Sequence, residues 1–274
     1  MLTLVPFLLS ICNDGKKHFY YDFYSDDIEI VELPSILNEI SGIAFSTDGN
    51  LFGHNDENGT IYQIDPNTGK IIKLFQLGFF GLEEDFEDIE IVDDAFFLIT
   101  SSGILYQFQE GSNLEKVKFK EINLEFSSKF EIEGLCYDPE TNSLLVACKN
   151  YAGKNNKGKR SVYSFSLQNN KLIKIPRFLI SLKELKKKYG MKEFFPSAIS
   201  RQPETGNIFI LSSKGEPAII EINSKGDLVS GGKLNKKRHP QPEGLTFNKN
   251  GDMLISNEAV FNSPTIIIYK YEKD

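Results

Sequence analysis

The sequence contains no Trp, only three Cys and only three His, and these shortages exclude several kinds of protein. Three Cys, at positions 12, 136 and 148, do not form the disulfide framework of a small secreted domain. The His residues, at positions 18, 54 and 239, are not clustered with Cys in a zinc-binding spacing. The chain also lacks a Gly-x-Ser-x-Gly nucleophile motif and a phosphate-binding Gly loop.

Positive charge is also scarce. The chain has 31 Lys and Arg against 38 Asp and Glu, which gives a formal net charge of −7. Nucleic-acid binding needs a basic surface that displaces phosphate counterions, so this balance counts against it and favours cations. The 274 residues are enough to bury a large core.

The first twelve residues are mostly apolar and end at Cys12, after which the chain turns polar. This run is too short to span a membrane and is typical of the apolar part of an export signal. Residues 9–12 (LSIC) are similar to the cleavage box of a bacterial lipoprotein, in which the Cys is lipidated. We therefore expect residues 1–12 to be a signal or lipoprotein segment, with a plain signal or a stray apolar N-terminus as alternatives. Residues 13–27 are expected to be a tether.

One short motif recurs along the chain. Residues 132–138 (IEGLCYD) and 242–248 (PEGLTFN) are nearly the same, and looser copies lie at 86–91, 40–45 and 196–200. Its Glu or Ser, which we call the marker, falls at positions 41, 87, 133, 197 and 243, so that the intervals are 46, 46, 64 and 46 residues. A repeat of this length in a strand-rich chain predicts an all-β fold, a five-bladed β-propeller with one blade per copy.

Each copy predicts the same order of strands: a first strand with the marker, a polar turn, an apolar second strand, and then a third and a fourth. The last copy ends one strand short, whereas an alternating strand at residues 28–33 precedes the first copy. We expect this N-terminal strand to close the ring, so that residues 28–274 form one domain. Cys136 and Cys148 lie on two arms of one hairpin but not opposite each other, which predicts two buried, unbridged thiols.

Two further segments carry structural predictions. The long third interval contains residues 181–190 (SLKELKKKYG), a pattern typical of a short amphipathic helix that begins after Ser181 and ends at Gly190. Residues 116–120 (KVKFK) are expected to be the fourth, outer strand of the second blade.

The first strands of a propeller line its central channel, so the five markers are expected to meet near the axis. Ser41, Glu87, Glu133, Ser197 and Glu243 would then bring three carboxylates together, and these repel one another unless a positive group neutralises them. Further oxygen donors end the second strands, at residues 54–56, 101–102, 212–213 and 256–258. Such hard oxygen ligands suit Ca²⁺. In the third blade Lys149 takes this place and can itself neutralise a Glu.

A structural role for these carboxylates is the alternative. Each marker Glu would then accept hydrogen bonds from the backbone of a neighbouring blade and hold the blades together. Asp85, Asp88 and Glu90 are expected to be solvated rather than ligating. His54 is the only His predicted near the axis, and it is a weak candidate for a catalytic base, with a structural role as the alternative.

The five motifs in order, from Ile40 to Glu258, resemble the SdiA-regulated family of bacterial exported propellers, and more distantly NHL-repeat and phytase-like esterase propellers. The resemblance implies five blades, a Ca²⁺ site at the axis and an N-terminal membrane tether. Carried onto this chain, the site would use Glu87, Glu133 and Glu243, and it extends to Asn55, Asp56, Asn257 and Glu258.

Two functions remain open at this point. The first is a monomeric, non-enzymatic Ca²⁺-binding propeller of the bacterial envelope that binds an unknown ligand or envelope protein; the protein is expected in the periplasm or anchored to a membrane through Cys12. The second is a Ca²⁺-dependent hydrolase of lactones, esters or phosphoesters. There the metal would polarise the substrate and His54 or a metal-bound Glu would take the proton.

Overall fold

The five copies of the motif form five sheets around one axis in the computed structural model, which describes residues 20–272. Strands make up 49% of the protein and helix only 4%, which confirms the all-β prediction. The strands, in chain order, are β1 Glu29–Glu32, β2 Ile40–Phe45, β3 Leu51–Asn55, β4 Thr60–Ile64, β5 Ile71–Leu77, β6 Phe86–Val92, β7 Ala95–Thr100, β8 Ile104–Gln109, β9 Lys116–Val117, β10 Phe119–Asn123, β11 Ile132–Asp138, β12 Ser143–Cys148, β13 Lys159–Ser166, β14 Lys171–Ser181, β15 Pro196–Arg201, β16 Ile208–Ser212, β17 Ala218–Ile222, β18 Leu228–Lys233, β19 Pro242–Phe247, β20 Met253–Asn257 and β21 Thr265–Tyr269.

The blades follow the predicted scheme. Strands β2 to β5 form blade one, β6 to β8 with β10 form blade two, β11 to β14 form blade three, and β15 to β18 form blade four. Blade five consists of β19, β20 and β21, and β1 completes it as the outer strand, with Glu29 opposite Ile268 and Glu32 opposite Thr265. The N-terminal strand therefore closes the ring, as predicted.

Every first strand carries an irregularity at its marker. The pairing with the second strand skips the marker in each blade, between residues 132 and 134, 196 and 198, 242 and 244, 86 and 88, and 40 and 43. An extra residue of this kind is a β-bulge, which leaves one residue outside the ladder and turns its side chain. The recurring motif thus encodes a bulge that frees the marker side chain at the start of each inner strand.

Small residues after the marker allow the inner strands to approach closely. A Cβ at Gly42 would lie 2.7 Å from the Cα of Asp88 in the next blade, and one at Gly244 would lie 2.5 Å from the carbonyl oxygen of Ser41. Both distances are shorter than van der Waals contact, so only glycine fits at these two positions. The Gly of the motif is therefore a packing requirement between blades.

The core consists of five clusters, each between two neighbouring blades. Cys136 packs in the cluster between blades three and four, whereas Cys148 packs in the cluster between blades two and three. The two thiols face opposite sides of their blade, and both are buried and free, as predicted. Tyr21 and Phe23, which lie in the predicted tether, are buried between blades four and five. The chain is thus packed against the propeller by residue 21, ahead of β1.

The predicted helix is confirmed, whereas the predicted outer strand of blade two needs a correction. Helix α1, Leu182–Tyr189, begins after Ser181, whose Oγ accepts a hydrogen bond from the Glu184 amide, and ends at Gly190 with φ of 69°. The prediction of a single outer strand at 116–120 was wrong. The first part, β9, pairs in parallel with β5 of blade one, and only the second part, β10, belongs to blade two.

Residues 1–12, with Cys12, lie outside the described part of the chain. Among residues 20–272 no helix has the length and apolar character needed to cross a membrane.

Candidate functional site

The three marker carboxylates line one open cavity at the end of the propeller where the first strands begin. The cavity has a volume of about 740 Å³. Its charged lining consists of five acids and three lysines: Asp85, Glu87, Glu131, Glu133, Glu243, Lys149, Lys214 and Lys236. The structure therefore confirms that the three marker Glu residues converge at one place.

Lys149 already neutralises one of these carboxylates. Its Nζ lies 2.7 Å from Glu133 Oε1, and the side chains are 26% and 5% exposed, respectively. Burial raises the pKa of Glu133, and the nearby ammonium of Lys149 opposes that rise. Burial works to lower the pKa of Lys149, but the attraction of Glu133 outweighs it and the pKa is raised. We call Glu87, Glu133, Glu243 and Lys149 the axial group.

The other two axial carboxyls hold their protons more tightly than usual. Burial raises the pKa of Glu87, and the charges of Glu133 and Asp85 add to this effect. Burial also raises the pKa of Glu243 to about 7, against the opposing attraction of Lys149. Crowded and desolvated carboxyls favour their neutral forms unless a cation compensates them.

A second acidic group lies beside the first, at the seam between blades one and five. Carboxylate oxygens of Glu39, Asp56 and Glu258 all lie within 4.8 Å of one another, and within residues 20–272 this is the one set of three His, Cys, Asp or Glu side chains that is so arranged. We call these three residues the seam group. Glu39 precedes β2, Asp56 follows β3 and Glu258 follows β20. The Asp56 amide donates to the Glu39 carbonyl at 3.2 Å.

One oxygen atom of the seam group and one of the adjacent Asn55 lack hydrogen-bond donors. Asp56 Oδ1 and the neighbouring Asn55 Oδ1 are buried, and neither has a partner among the described residues. Burial raises the pKa of Asp56 to about 6, with the charges of Glu39 and Glu57 adding to it. Burial raises the pKa of Glu258 to about 8, with Glu243 and Asp56 adding to it. Buried carboxylate and amide oxygens without donors are the ligand type that Ca²⁺ prefers.

Both groups are drawn from the same three positions of the repeat. Each blade contributes the residue two before the marker, the marker itself and a residue just after the second strand. These sets are Glu39, Ser41 and Asp56; Asp85, Glu87 and Ser101; Glu131, Glu133 and Lys149; Phe195, Ser197 and Ser213; and Gln241, Glu243 and Glu258. In four blades the residue after the second strand donates its amide to the carbonyl two before the marker. Glu39 was missed from sequence, although its distance from the marker is the signal that finds it.

Two of the predicted site residues, Asn257 and His54, are buried and form hydrogen bonds with other protein groups. Asn257 is buried, and its Oδ1 accepts a hydrogen bond from His239 Nδ1 at 2.9 Å. His54 is completely buried and does not line the axial cavity. Its Nδ1 bonds the carbonyl oxygen of Asn55 at 2.9 Å, its Nε2 has no partner among the described residues, and burial lowers its pKa to about 4.

Hydrogen bonds from the Ser markers cross between neighbouring blades. Ser41 Oγ donates to the Glu87 carbonyl at 2.6 Å, and Ser197 Oγ donates to the Pro242 carbonyl at 2.9 Å. The Ser markers therefore link adjacent blades.

The expectation that Asp88 and Glu90 are solvated was wrong. Asp88 is buried and accepts from the Leu135 amide at 2.7 Å, while Glu90 accepts from the Tyr137 amide at 2.7 Å. They bridge blades two and three because the alternation of the strand turns both carboxylates toward β11. Asp85 alone of the three is exposed, as expected.

The comparisons with known proteins agree with this architecture. The sequence profile of the family described as SdiA-regulated matches residues 16–263. Among solved structures, the glutaminyl cyclase of Myxococcus xanthus is similar at 11% identity and a TM-score of 0.60, over 89% of this chain and 94% of that one. A luciferin-regenerating enzyme is similar at 10% identity and a TM-score of 0.55, over 89% and 95%. A gluconolactonase from Xanthomonas campestris is similar at 12% identity and a TM-score of 0.52, over 84% and 71%. At such identities these likenesses concern the fold alone. No curated protein sequence matches the chain.

Proposed function

The chain belongs to the SdiA-regulated family, and from this premise we propose that it is a Ca²⁺-binding propeller that holds a polar ligand in its axial cavity. The observation that carries the proposal is the buried, unpartnered Oδ1 of Asp56 within a group of three close carboxylates. A buried acceptor without a donor is costly, and a cation satisfies it and its neighbours together.

The seam group is the best candidate to hold the ion. Glu39, Asp56 and Glu258 supply carboxylate oxygens, and Asn55 Oδ1 offers one more oxygen nearby in the chain. All are hard donors of the kind that suits Ca²⁺. When bound, Ca²⁺ would cancel the repulsion between these carboxylates and polarise an oxygen atom of a ligand.

The axial cavity is the candidate ligand site. It combines acids with Lys149, Lys214 and Lys236, so it offers both acceptors and charged donors. Apolar groups contribute little to the lining, which includes Ser101, Asn150, Ser213 and Gln241. These features favour a small ligand rich in hydroxyl, amine or carboxylate groups over an apolar one.

The experiment is a calorimetric titration of the full chain with Ca²⁺. Asp56→Asn and Glu258→Gln should abolish or strongly weaken binding, whereas Glu133→Gln should leave it intact because Glu133 is held by Lys149. Asp94→Asn, in an exposed turn, is the matched control. Binding that is lost in Glu133→Gln and kept in Asp56→Asn would instead place the ion at the axis, and no binding by the wild type would refute the proposal.

Hydrolysis at the axis is the second candidate, and one observation favours it. Glu243 lines the cavity with a pKa raised to about 7, which suits a general acid or base near neutral pH. A panel of lactones, carboxylic esters and phosphoesters should then be turned over by the wild type with Ca²⁺ present. Glu243→Gln and Glu133→Gln should abolish that turnover, and His54→Ala tests the buried His separately. Unchanged turnover in all three variants would remove this candidate.

We also propose export and attachment to a membrane of the bacterial envelope through a lipid on Cys12. The support is the apolar run ending in residues 9–12 (LSIC). Labelling of cells with a clickable palmitate should mark the wild type and not Cys12→Ser, and the variant should leave the membrane fraction. Equal labelling and fractionation of both proteins would contradict the anchor.

A further inference from the structure

Four chain segments form one continuous surface at the marker end of the propeller, next to the axial cavity. They are residues 35–39, 56–59, 78–86 and 258–264. Backbone hydrogen bonds join them in a row: Ala259 N to Asn38 O at 2.9 Å, Asp56 N to Glu39 O at 3.2 Å, Gly59 N to Leu82 O at 2.7 Å and Phe86 N to Asp56 O at 2.7 Å. We call this surface the acidic–aromatic face.

Large aromatic side chains stand out from this face. Phe80 is 96% exposed, Phe261 is 92% exposed and Phe79 is 74% exposed. Phe79 and Phe80 pack edge to face with their ring centroids 5.2 Å apart, so they form one apolar knob. Ile36 and Val260 are also exposed on the same segments. Several large apolar side chains exposed together mark an interaction surface.

The charges on the four segments are all negative, and one cation from outside them reaches the face: Lys116 Nζ lies 5.1 Å from the centre of the Phe79 ring and donates to the Phe79 carbonyl at 2.6 Å. The four segments contain no Lys, Arg or His. Their exposed acids are Glu39, Glu57, Glu83, Glu84 and Asp85. Within residues 20–272 none of these five forms an ion pair with a basic side chain. The surface is therefore apolar at its tips and negative between them.

We propose that the acidic–aromatic face docks a polypeptide segment of a partner protein that carries basic and apolar side chains. Basic groups complement the uncompensated acids, and apolar side chains cover Phe80 and Phe261. An anionic membrane is disfavoured as the occupant because its surface potential repels the same acids. The proposal does not rest on the Ca²⁺ site, because the aromatic knob and Glu57, Glu83 and Glu84 lie outside the seam group.

The test uses the full chain, in buffer with chelator so that Ca²⁺ binding plays no part. The probe is a fluorescent peptide of alternating Lys and Leu, with a peptide of alternating Glu and Leu as its counterpart. Phe80→Ser combined with Phe261→Ser removes the apolar tips, and Ile175→Ser is its control because Ile175 is 76% exposed on the outer strand β14. Glu57→Gln combined with Glu84→Gln reduces the charge, with Asp48→Asn combined with Asp94→Asn as its control.

We expect the Lys–Leu peptide to bind, and the aromatic double variant to weaken its affinity by roughly tenfold or more. The charge variant should weaken it less and flatten its dependence on salt, while both control variants bind as the wild type does. Equal binding by the variants and their controls, equal binding of the Glu–Leu peptide, or no binding at all would overturn the proposal. Binding to phosphatidylglycerol vesicles that is lost in the aromatic variant would overturn it in favour of a lipid surface.

Discussion

The axial group and the seam group both include the residue that follows a second strand, yet only the axial group has a cation at that position. In blade three the position after the second strand is Lys149, and it lies 2.7 Å from the marker Glu133. In blade one the same position is Asp56, with Glu39 and Glu258 close by and no Lys in the group. Blades one and three therefore differ at two positions of the repeat, since the marker is Ser41 in one and Glu133 in the other, and only blade three places a Lys beside its acids.

This contrast predicts how each group responds when a charged side chain is removed or a cation is added. The axial group should depend on Lys149 for stability, and the seam group should depend on Ca²⁺.

Removal of the Lys149 ammonium should lower the free energy of unfolding more than any other change considered. Lys149→Met leaves Glu133 buried without a partner, and we expect a loss of about 3 kcal/mol in the free energy of unfolding near pH 8 without Ca²⁺. The loss is at the low end for buried pairs because the Lys149 side chain is 26% exposed. Urea unfolding measures it. The double variant Lys149→Met with Glu133→Gln should recover most of the stability, and a single variant as stable as the wild type would contradict the pairing.

Addition of the external cation should stabilise the protein through the seam group. At a free Ca²⁺ concentration of about one hundred times Kd, the gain in unfolding free energy is about 2.7 kcal/mol if Ca²⁺ binds only the folded state. Thermal unfolding with Ca²⁺ and with chelator measures it. The gain should vanish in Asp56→Asn and persist in Glu133→Gln. A gain that persists in Asp56→Asn and vanishes in Glu133→Gln would mean that Ca²⁺ binds the axial group instead.

The axial group should also make stability depend on pH. The pKa of Glu243 is raised from 4.5 to about 7 in the folded protein, so the folded state binds this proton more tightly than the unfolded state. Its contribution is therefore complete below pH 4.5 and is lost as the pH rises through about 7. Chemical unfolding from pH 4.5 to 7, without Ca²⁺, should show a decline in stability that is about 2.5 kcal/mol larger for the wild type than for Glu243→Gln. An unchanged slope in the variant would contradict the assignment.

The Ser markers should show the smallest effect, since they link blades by single hydrogen bonds. Ser41→Ala removes the bond from Ser41 Oγ to the Glu87 carbonyl, and we expect a loss of about 1 kcal/mol with no change in Ca²⁺ affinity. Urea unfolding and calorimetry check the two parts. A change in Ca²⁺ affinity in Ser41→Ala would mean that the hydrogen bond between blades one and two influences the seam group.

Much of the architecture was predictable because the marker repeat is local and regular. The interval between markers predicted five blades, the spare strand at the N-terminus predicted the closure by β1, and Ser181 and Gly190 predicted the bounds of α1. The division of residues 116–120 was not predictable, because β9 pairs with β5 of another blade and no local pattern reports that contact.

The candidate site was predictable only in part. The markers and Lys149 were found because they stand inside or just after apolar strands. Glu39 was missed because it lies in a loop and belongs to the site only through the fold, which brings it beside Asp56 and Glu258. Asp88 and Glu90 were misjudged because charged residues are seldom withdrawn from solvent, and here the amides of Leu135 and Tyr137 allow Asp88 to be buried and Glu90 to be half-buried.

The position of the bound ion distinguishes the seam group from the axial group. A crystal structure of the full chain grown with Ca²⁺ would locate it by difference density, checked by anomalous scattering from Mn²⁺ in its place. We predict one ion bound by Glu39, Asp56 and Glu258, with the contact between Lys149 and Glu133 kept. An ion bound by Glu87, Glu133 and Glu243 with Lys149 displaced, or no ion at either group, would contradict the account.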